Sequence, residues 1–345
     1  MNFSLSRVQF FLLLFLIETG ILYITFQSAL ISKSGTISWV IFAIACLFHY
    51  LLLLLYERYY SYFHLNTFFQ WTYKIYWFCL VATYIAYTEY VLASWVLPQT
   101  PIWVVIFIIV LLSLYANLSR PETVVNIGVI LIPLIALFVV FLMLAIPSLS
   151  WTNLFPIQFD NKEHILQGFM QSSYAFIGVE MFLILRPFLQ KELKLSGKPL
   201  FFYQLLIFVF YMTAVIFSLL FFSIAEIKIV TEPIIYILKS QEVTFVKRLD
   251  IFFVYIWLMW SIVTIMIVVL VIRVVHFEKK RKYPKTNIVI LHVLLAIISL
   301  FLVRFDRIEF IKSNFFYVFA IFTILLPFGI IVWNKWRGKK CIEKG

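Results

Sequence analysis

The chain has 345 residues, 64% of them hydrophobic and 13% charged, with a net charge of +12. Soluble domains are about half apolar and about a quarter charged, so there is too little polar material here to clothe a soluble fold of this length. That composition excludes a disordered chain, a nucleic-acid binder and a secreted disulfide scaffold, and leaves an integral membrane protein.

A helix needs about 20 apolar residues to cross a bilayer core, and ten such runs follow one another: 8–31, 37–56, 71–97, 102–118, 124–146, 165–189, 200–225, 251–275, 287–303 and 315–332. The alternating ten-residue segments of a membrane β-barrel are missing, so the expected fold is all-α. The first run carries Glu18 and has no small-residue cleavage site after it, so it reads as a membrane helix rather than a removable signal. The longer connections, 147–164 and 226–247, mix charges with Ser, Thr, Asn or Pro and have room for short surface helices. Pro133, Pro147, Pro187 and Pro327 are expected to kink or end spans.

Charge orients the spans. With the N-terminus in the cytoplasm, nineteen of the 28 basic residues fall on that side; Arg7, Arg58, Arg120, Arg186 and the tract Glu278-Lys279-Lys280-Arg281-Lys282 carry most of the signal. Both termini are then cytoplasmic, and the short basic tail rests on anionic headgroups. Cys46, Cys79 and Cys341 form no CxxC, and the five histidines show no metal spacing, so no metal, cofactor or catalytic residue is expected.

Three acids lie within spans: Glu18, Glu89 and Glu180. An ionisable group at that depth is costly and marks a functional candidate. Ten spans divide into five plus five, an inverted repeat covering about 1–147 and 164–334 in one polytopic domain. The first and sixth spans are then symmetry mates, and each sets a glycine beside its acid, in Glu18-Thr19-Gly20 and Gly178-Val179-Glu180. Interrupted spans at matching positions point to a ligand site at mid-membrane, where unwound backbone can meet a carboxylate and an ammonium. The opposing reading is a protonated glutamate hydrogen-bonded to a neighbouring helix. For Glu89, which has no glycine beside it, a structural hydrogen bond is the expectation. Tyr84 and Tyr87, with Thr88, share a face of the third span and are placed to cover a ligand. Ser261 and Thr264 of the eighth span offer hydroxyls to an ion or polar ligand, although mid-membrane hydroxyls more often bond their own helix.

Three stretches resemble a known family. Gly178-Val179-Glu180-Met181-Phe182-Leu183-Ile184-Leu185-Arg186-Pro187-Phe188-Leu189 is similar to the sixth-span signature of bacterial endospore germination permeases, and Arg248-Leu249-Asp250 through Trp257 to the opening of their eighth span. Phe3-Ser4-Leu5-Ser6-Arg7-Val8-Gln9, followed by Glu18-Thr19-Gly20-Ile21-Leu22, resembles their N-terminal pattern. The chain departs from many relatives in reading Leu22-Tyr23-Ile24 where they have Leu-Pro, a difference that bears on how far the first helix unwinds. The resemblance implies the B subunit of a GerA-type nutrient germinant receptor, with the LeuT-like inverted repeat of the amino acid–polyamine–organocation superfamily. It would sit in the spore inner membrane with an A subunit and a lipoprotein C subunit, and it would bind a small nutrient, often an amino acid, around Thr19, Gly20, Gly178 and Glu180. A proton-coupled amino-acid transporter using Glu18 or Glu180, and an assembly subunit with a vestigial pocket, are the competing expectations.

Overall fold

Backbone amides and carbonyls have no partner in hydrocarbon except one another, and the regular elements of this chain are accordingly helices. The computed structural model describes residues 4–157, 162–190, 193–241, 248–275 and 284–338. The basic tract 278–282, Lys191, Lys247, Phe3 and the tail beyond 338 with Cys341 lie outside the described residues.

Helix α1 (Arg7–Thr19) starts from a reciprocal cap: Ser6 Oγ accepts from the Gln9 amide at 3.2 Å, and Gln9 Oε1 accepts from the Ser6 amide at 3.0 Å. It stops after 13 residues. A 3₁₀ turn, Leu22–Ile24, separates it from α2 (Phe26–Ser34). Gly35, at φ +61°, then turns the chain into α3 (Ser38–Tyr59). The rings of Phe26 and Phe42 lie 5.4 Å apart, whereas a continuous helix would separate them by ~24 Å. Helices α2 and α3 are therefore a hairpin.

Helix α4 (Thr67–Trp95) is capped by the Asn66 side chain, which accepts from the Phe69 amide at 2.9 Å. Helix α5 (Ile102–Leu118) follows, and Pro133 divides the next span into α6 (Pro121–Leu131) and α7 (Pro133–Met143). Two 3₁₀ turns, Ile146–Ser148 and Trp151–Leu154, lead towards α8 (Lys162–Ser172). Another 3₁₀ turn, Ser173–Phe176, an extended Ile177 and a left-handed Gly178 interrupt that span before α9 (Met181–Leu185). The rest of the chain builds α10 (Lys198–Phe221), the short α11 (Ile224–Ile227) and α12 (Pro233–Lys239), α13 (Leu249–Val274), α14 (Lys285–Leu302) and α15 (Phe305–Phe319). A π turn, Ala320–Leu325, joins α15 to α16 (Leu326–Trp336).

Eight segments among the described residues are long and apolar enough to cross a membrane, not the ten expected. The difference arises at the first span and at α5. The break shortens α1 to 13 residues and leaves α2 joined to α3 through a helical turn, so Leu22–Tyr62 forms one segment, and α5 has only 17 residues.

The two broken segments pack on each other along both halves. Where α2 meets α8, a Cβ on Gly168 would lie 2.6 Å from Ser34 Cβ, so only glycine permits this approach. At the other end the chain before α1 pairs with the chain after α9: the Leu5 amide donates to Phe188 O at 2.7 Å, and the Gln190 amide donates to Leu5 O at 3.0 Å. Nearby, Arg186 forms a two-pronged pair with Glu57 at 2.7 and 3.0 Å and lies over the Tyr60 ring at 4.3 Å, which closes the base of the molecule. Helix α13 runs through the middle and packs against α1, α4, α5 and α6.

Candidate functional site

The break in the first segment frees carbonyls that a continuous helix would occupy, and three of them meet side chains. Glu18 O accepts from Tyr211 Oη at 2.6 Å, Gly20 O from Ser261 Oγ at 3.2 Å, and Ile21 O from Trp257 Nε1 at 3.4 Å. Thr264 Oγ1 donates to Leu16 O at 2.7 Å. Ser261 and Thr264 therefore bind another helix rather than their own: they stitch the open end of α1 to α13. The carbonyls expected to meet a ligand's ammonium are already partnered. Thr19 turns its hydroxyl back to Phe15 O at 2.5 Å.

The two site glycines act differently. Gly178 has φ +95°, a conformation that a side chain resists, and its missing Cβ leaves room for Ile17, whose Cγ2 would be 2.3 Å away. Gly20 has ordinary helical angles, φ −59° and ψ −36°. Its role is proximity, since a Cβ there would fall 1.8 Å from Thr264 Oγ1. The break at Gly20 occurs without the proline of many relatives.

Both central acids are buried. Glu18, fully enclosed, faces the His49 ring, with Oε2 at 3.5 Å from Nε2. His49 Nδ1 lies 2.8 Å from Gln204 Oε1, Gln204 Nε2 donates to Cys46 O at 2.8 Å, and the imidazole stacks on Phe176 of the second break at 4.4 Å. Glu180 is held by two donors, Trp77 Nε1 at 2.9 Å and Thr323 Oγ1 at 3.1 Å. Thr323 belongs to the π turn, a feature that recurs at functional sites. Pro327, four residues on, cannot donate to Thr323 O. That carbonyl accepts from Tyr56 Oη instead, and Phe322 O accepts from Tyr73 Oη at 2.9 Å.

The remaining expected residues divide. Tyr84 is buried at the centre, and its hydroxyl has no hydrogen-bond partner among the described residues; the hydroxyls of Tyr23 and Tyr76 and the Trp260 indole share that condition. Polar atoms buried in this way normally have a partner, so these groups mark the interior as unusually polar for a membrane core. Tyr87 lies elsewhere, donating to Glu232 Oε1 at 3.2 Å. Glu232 also accepts from Trp95 Nε1 at 3.4 Å and from Thr231 Oγ1. The hydrogen bond expected for Glu89 is not made: both its oxygens are buried and unpartnered among the described residues. Arg248 pairs with Asp250 at 2.8 Å at the start of α13.

Sequence reading passed over Trp77, Thr323, His49, Gln204, Tyr211 and Glu232. Two signals were available: Pro327 points four residues back to Thr323, and Pro233 at the first helical position marks Glu232 as the residue immediately before α12. A cavity of about 430 Å³ adjoins both breaks, with Leu22 and Thr25 of the first and Tyr174 of the second in its wall; Glu18 and Glu180 are not part of that wall. Among the described residues no group of three metal-ligating side chains converges.

An all-helical membrane protein with two interrupted segments packed around buried carboxylates is the class these features define. The family described as spore germination protein, the spore permeases, matches residues 4–303, and the chain belongs to that family. It is similar to the spore germination protein GerQB of Bacillus cereus, 27% identical over 165 residues, covering 47% of this chain and 45% of that relative. The match thus spans less than half of the relative's length.

Proposed function

We infer that this chain is the membrane-embedded B subunit of a spore nutrient germinant receptor, which binds a small nutrient of the amino-acid class between the two breaks and passes the signal to an A subunit and a lipoprotein C subunit in the spore inner membrane. The reading takes the chain as ten crossings in two inverted halves, with α1 and α2 as the first and α8 and α9 as the sixth. The observation that carries it is the packing of two discontinuous segments that each carry a buried acid, Glu18 and Glu180, together with buried phenols that have no hydrogen-bond partner among the described residues. Family membership supplies the germination context.

The test is Glu180→Gln in spores whose other nutrient receptors are deleted. The amide keeps the shape and can still accept from Trp77. The germination response to a panel of amino acids is expected to vanish while the protein accumulates normally in the spore membrane; an unchanged dose response would refute the reading. A second reading, proton-coupled transport, is favoured by the line from Glu18 through His49 to Gln204. Saturable, pH-driven uptake of a labelled amino acid by the purified subunit in proteoliposomes would support it over the sensor.

A further inference from the structure

We propose that the cavity above the breaks is a binding site of its own: a cationic vestibule that takes the carboxylate of a small molecule with an apolar or aromatic body. It is distinct from the deep centre, since neither Glu18 nor Glu180 lines it. About 430 Å³ falls in the range of small-molecule sites. Residues of four helices, α2, α8, α11 and α15, contribute to its wall.

Its chemistry is one-sided. Lys33, at the end of α2, and Lys228, just after α11, both stand in the wall, and among the described residues no Asp or Glu does. Neither lysine makes an ion pair among the described residues. The acid closest in sequence, Glu226, is committed to its own helix start: its carboxylate accepts from the Ser223 amide and hydroxyl, both at 2.8 Å, and those bonds hold it below the usual carboxylate range. Gln167 and Gln171 of α8 add neutral donors and acceptors, and Phe26, Tyr174, Phe316 and Tyr317 supply flat apolar surface. Two like charges, both on exposed side chains, in a concave wall concentrate anions and repel cations. The floor reaches Leu22 and Thr25, so an occupant rests directly on the first break, and Thr25 is tied through Thr231 O to the loop that carries Glu232.

The experiment uses the full chain in nanodiscs with Cys46, Cys79 and Cys341 replaced by serine and Ala29→Cys placed in the wall; Ser32→Cys is the second reporter should the first fail to fold. Rates of modification by an anionic sulfonatoethyl and a cationic trimethylammonioethyl methanethiosulfonate are each divided by the rate with a free thiol. The anionic reagent is expected to be favoured about tenfold, and Lys33→Gln with Lys228→Gln to bring the ratio to about one. L-phenylalanine should slow modification, and L-phenylalaninamide, which has lost the carboxylate, should not. Equal normalised rates for the two reagents, or equal protection by acid and amide, would overturn the proposal. The measurement does not depend on the deep site: Glu180→Gln should leave both ratio and protection unchanged, so failure of the receptor reading and failure of the vestibule are told apart.

Discussion

At the scale of single residues, the site shows why one residue type can serve two purposes. Gly178 is needed for its backbone angle, Gly20 for the absence of its side chain. A methyl group at position 20 would collide with Thr264 Oγ1 at 1.8 Å and crowd its Cβ at 2.9 Å. Gly20→Ala is therefore expected to cost about 1–3 kcal/mol through overpacking, while Thr264→Ala costs about 1 kcal/mol through its lost bond to Leu16 O. In the double variant the alanine at 264 removes the 1.8 Å collision and leaves only the milder crowding by the Cβ at 264 and by Leu16 O, at 2.9 and 2.8 Å. Thermal unfolding in detergent should then show a combined loss well below the sum of the two single losses. Strict additivity would mean that the contact between α1 and α13 is looser than described.

At the scale of elements, the π turn before α16 behaves as a socket for side chains from two other helices. Pro327 leaves Thr323 O without its ordinary donor, and Tyr56 supplies one. Tyr56→Phe leaves a buried carbonyl unpaired, which costs about 1–3 kcal/mol. Adding Pro327→Ala to that variant restores a backbone N–H at the position that normally serves residue 323. The pair Tyr56→Phe with Pro327→Ala is thus expected to melt at a higher temperature than Tyr56→Phe alone, and a lower melting temperature would show that the tyrosine is not replacing the helical donor. The same turn illustrates what a sequence discloses. Apolar runs, prolines and the acid-glycine pairs were legible because each is a local consequence of composition: the break at Gly178 follows from the residue itself. The partners of the acids were not. Trp77 and Thr323 lie 103 and 143 residues from Glu180, and nothing in either local stretch says which face meets the acid. Tyr87 is equivalent to Tyr84 by spacing, yet Tyr87 donates to Glu232 while the Tyr84 hydroxyl is buried with no partner among the described residues, a difference set by a residue 145 positions away.

At the scale of the whole molecule, the number of crossings is the property on which length and geometry differ, and it is open to direct measurement. By length and apolarity eight segments among the described residues qualify. The hairpin of α2 and α3, shown by Phe26 against Phe42, divides one of these, and the proposed ten crossings take α1 and α2 together as the first. The 17 residues of α5 rise about 26 Å, close to a hydrocarbon core of roughly 30 Å, and slight local thinning of the bilayer makes up the rest. The proposed ten crossings would put both termini on the side richest in Lys and Arg. Alkaline phosphatase joined after Gly35, Gln99 or Val230 is expected to be active, and after Tyr62, Arg120 or Gly338 inactive. The decisive pair is Gln99 and Arg120, the two flanks of α5. Activity at both would lay that helix in the interface, remove one crossing, and break the mirror relation between the first and sixth segments on which a shared mid-membrane site depends.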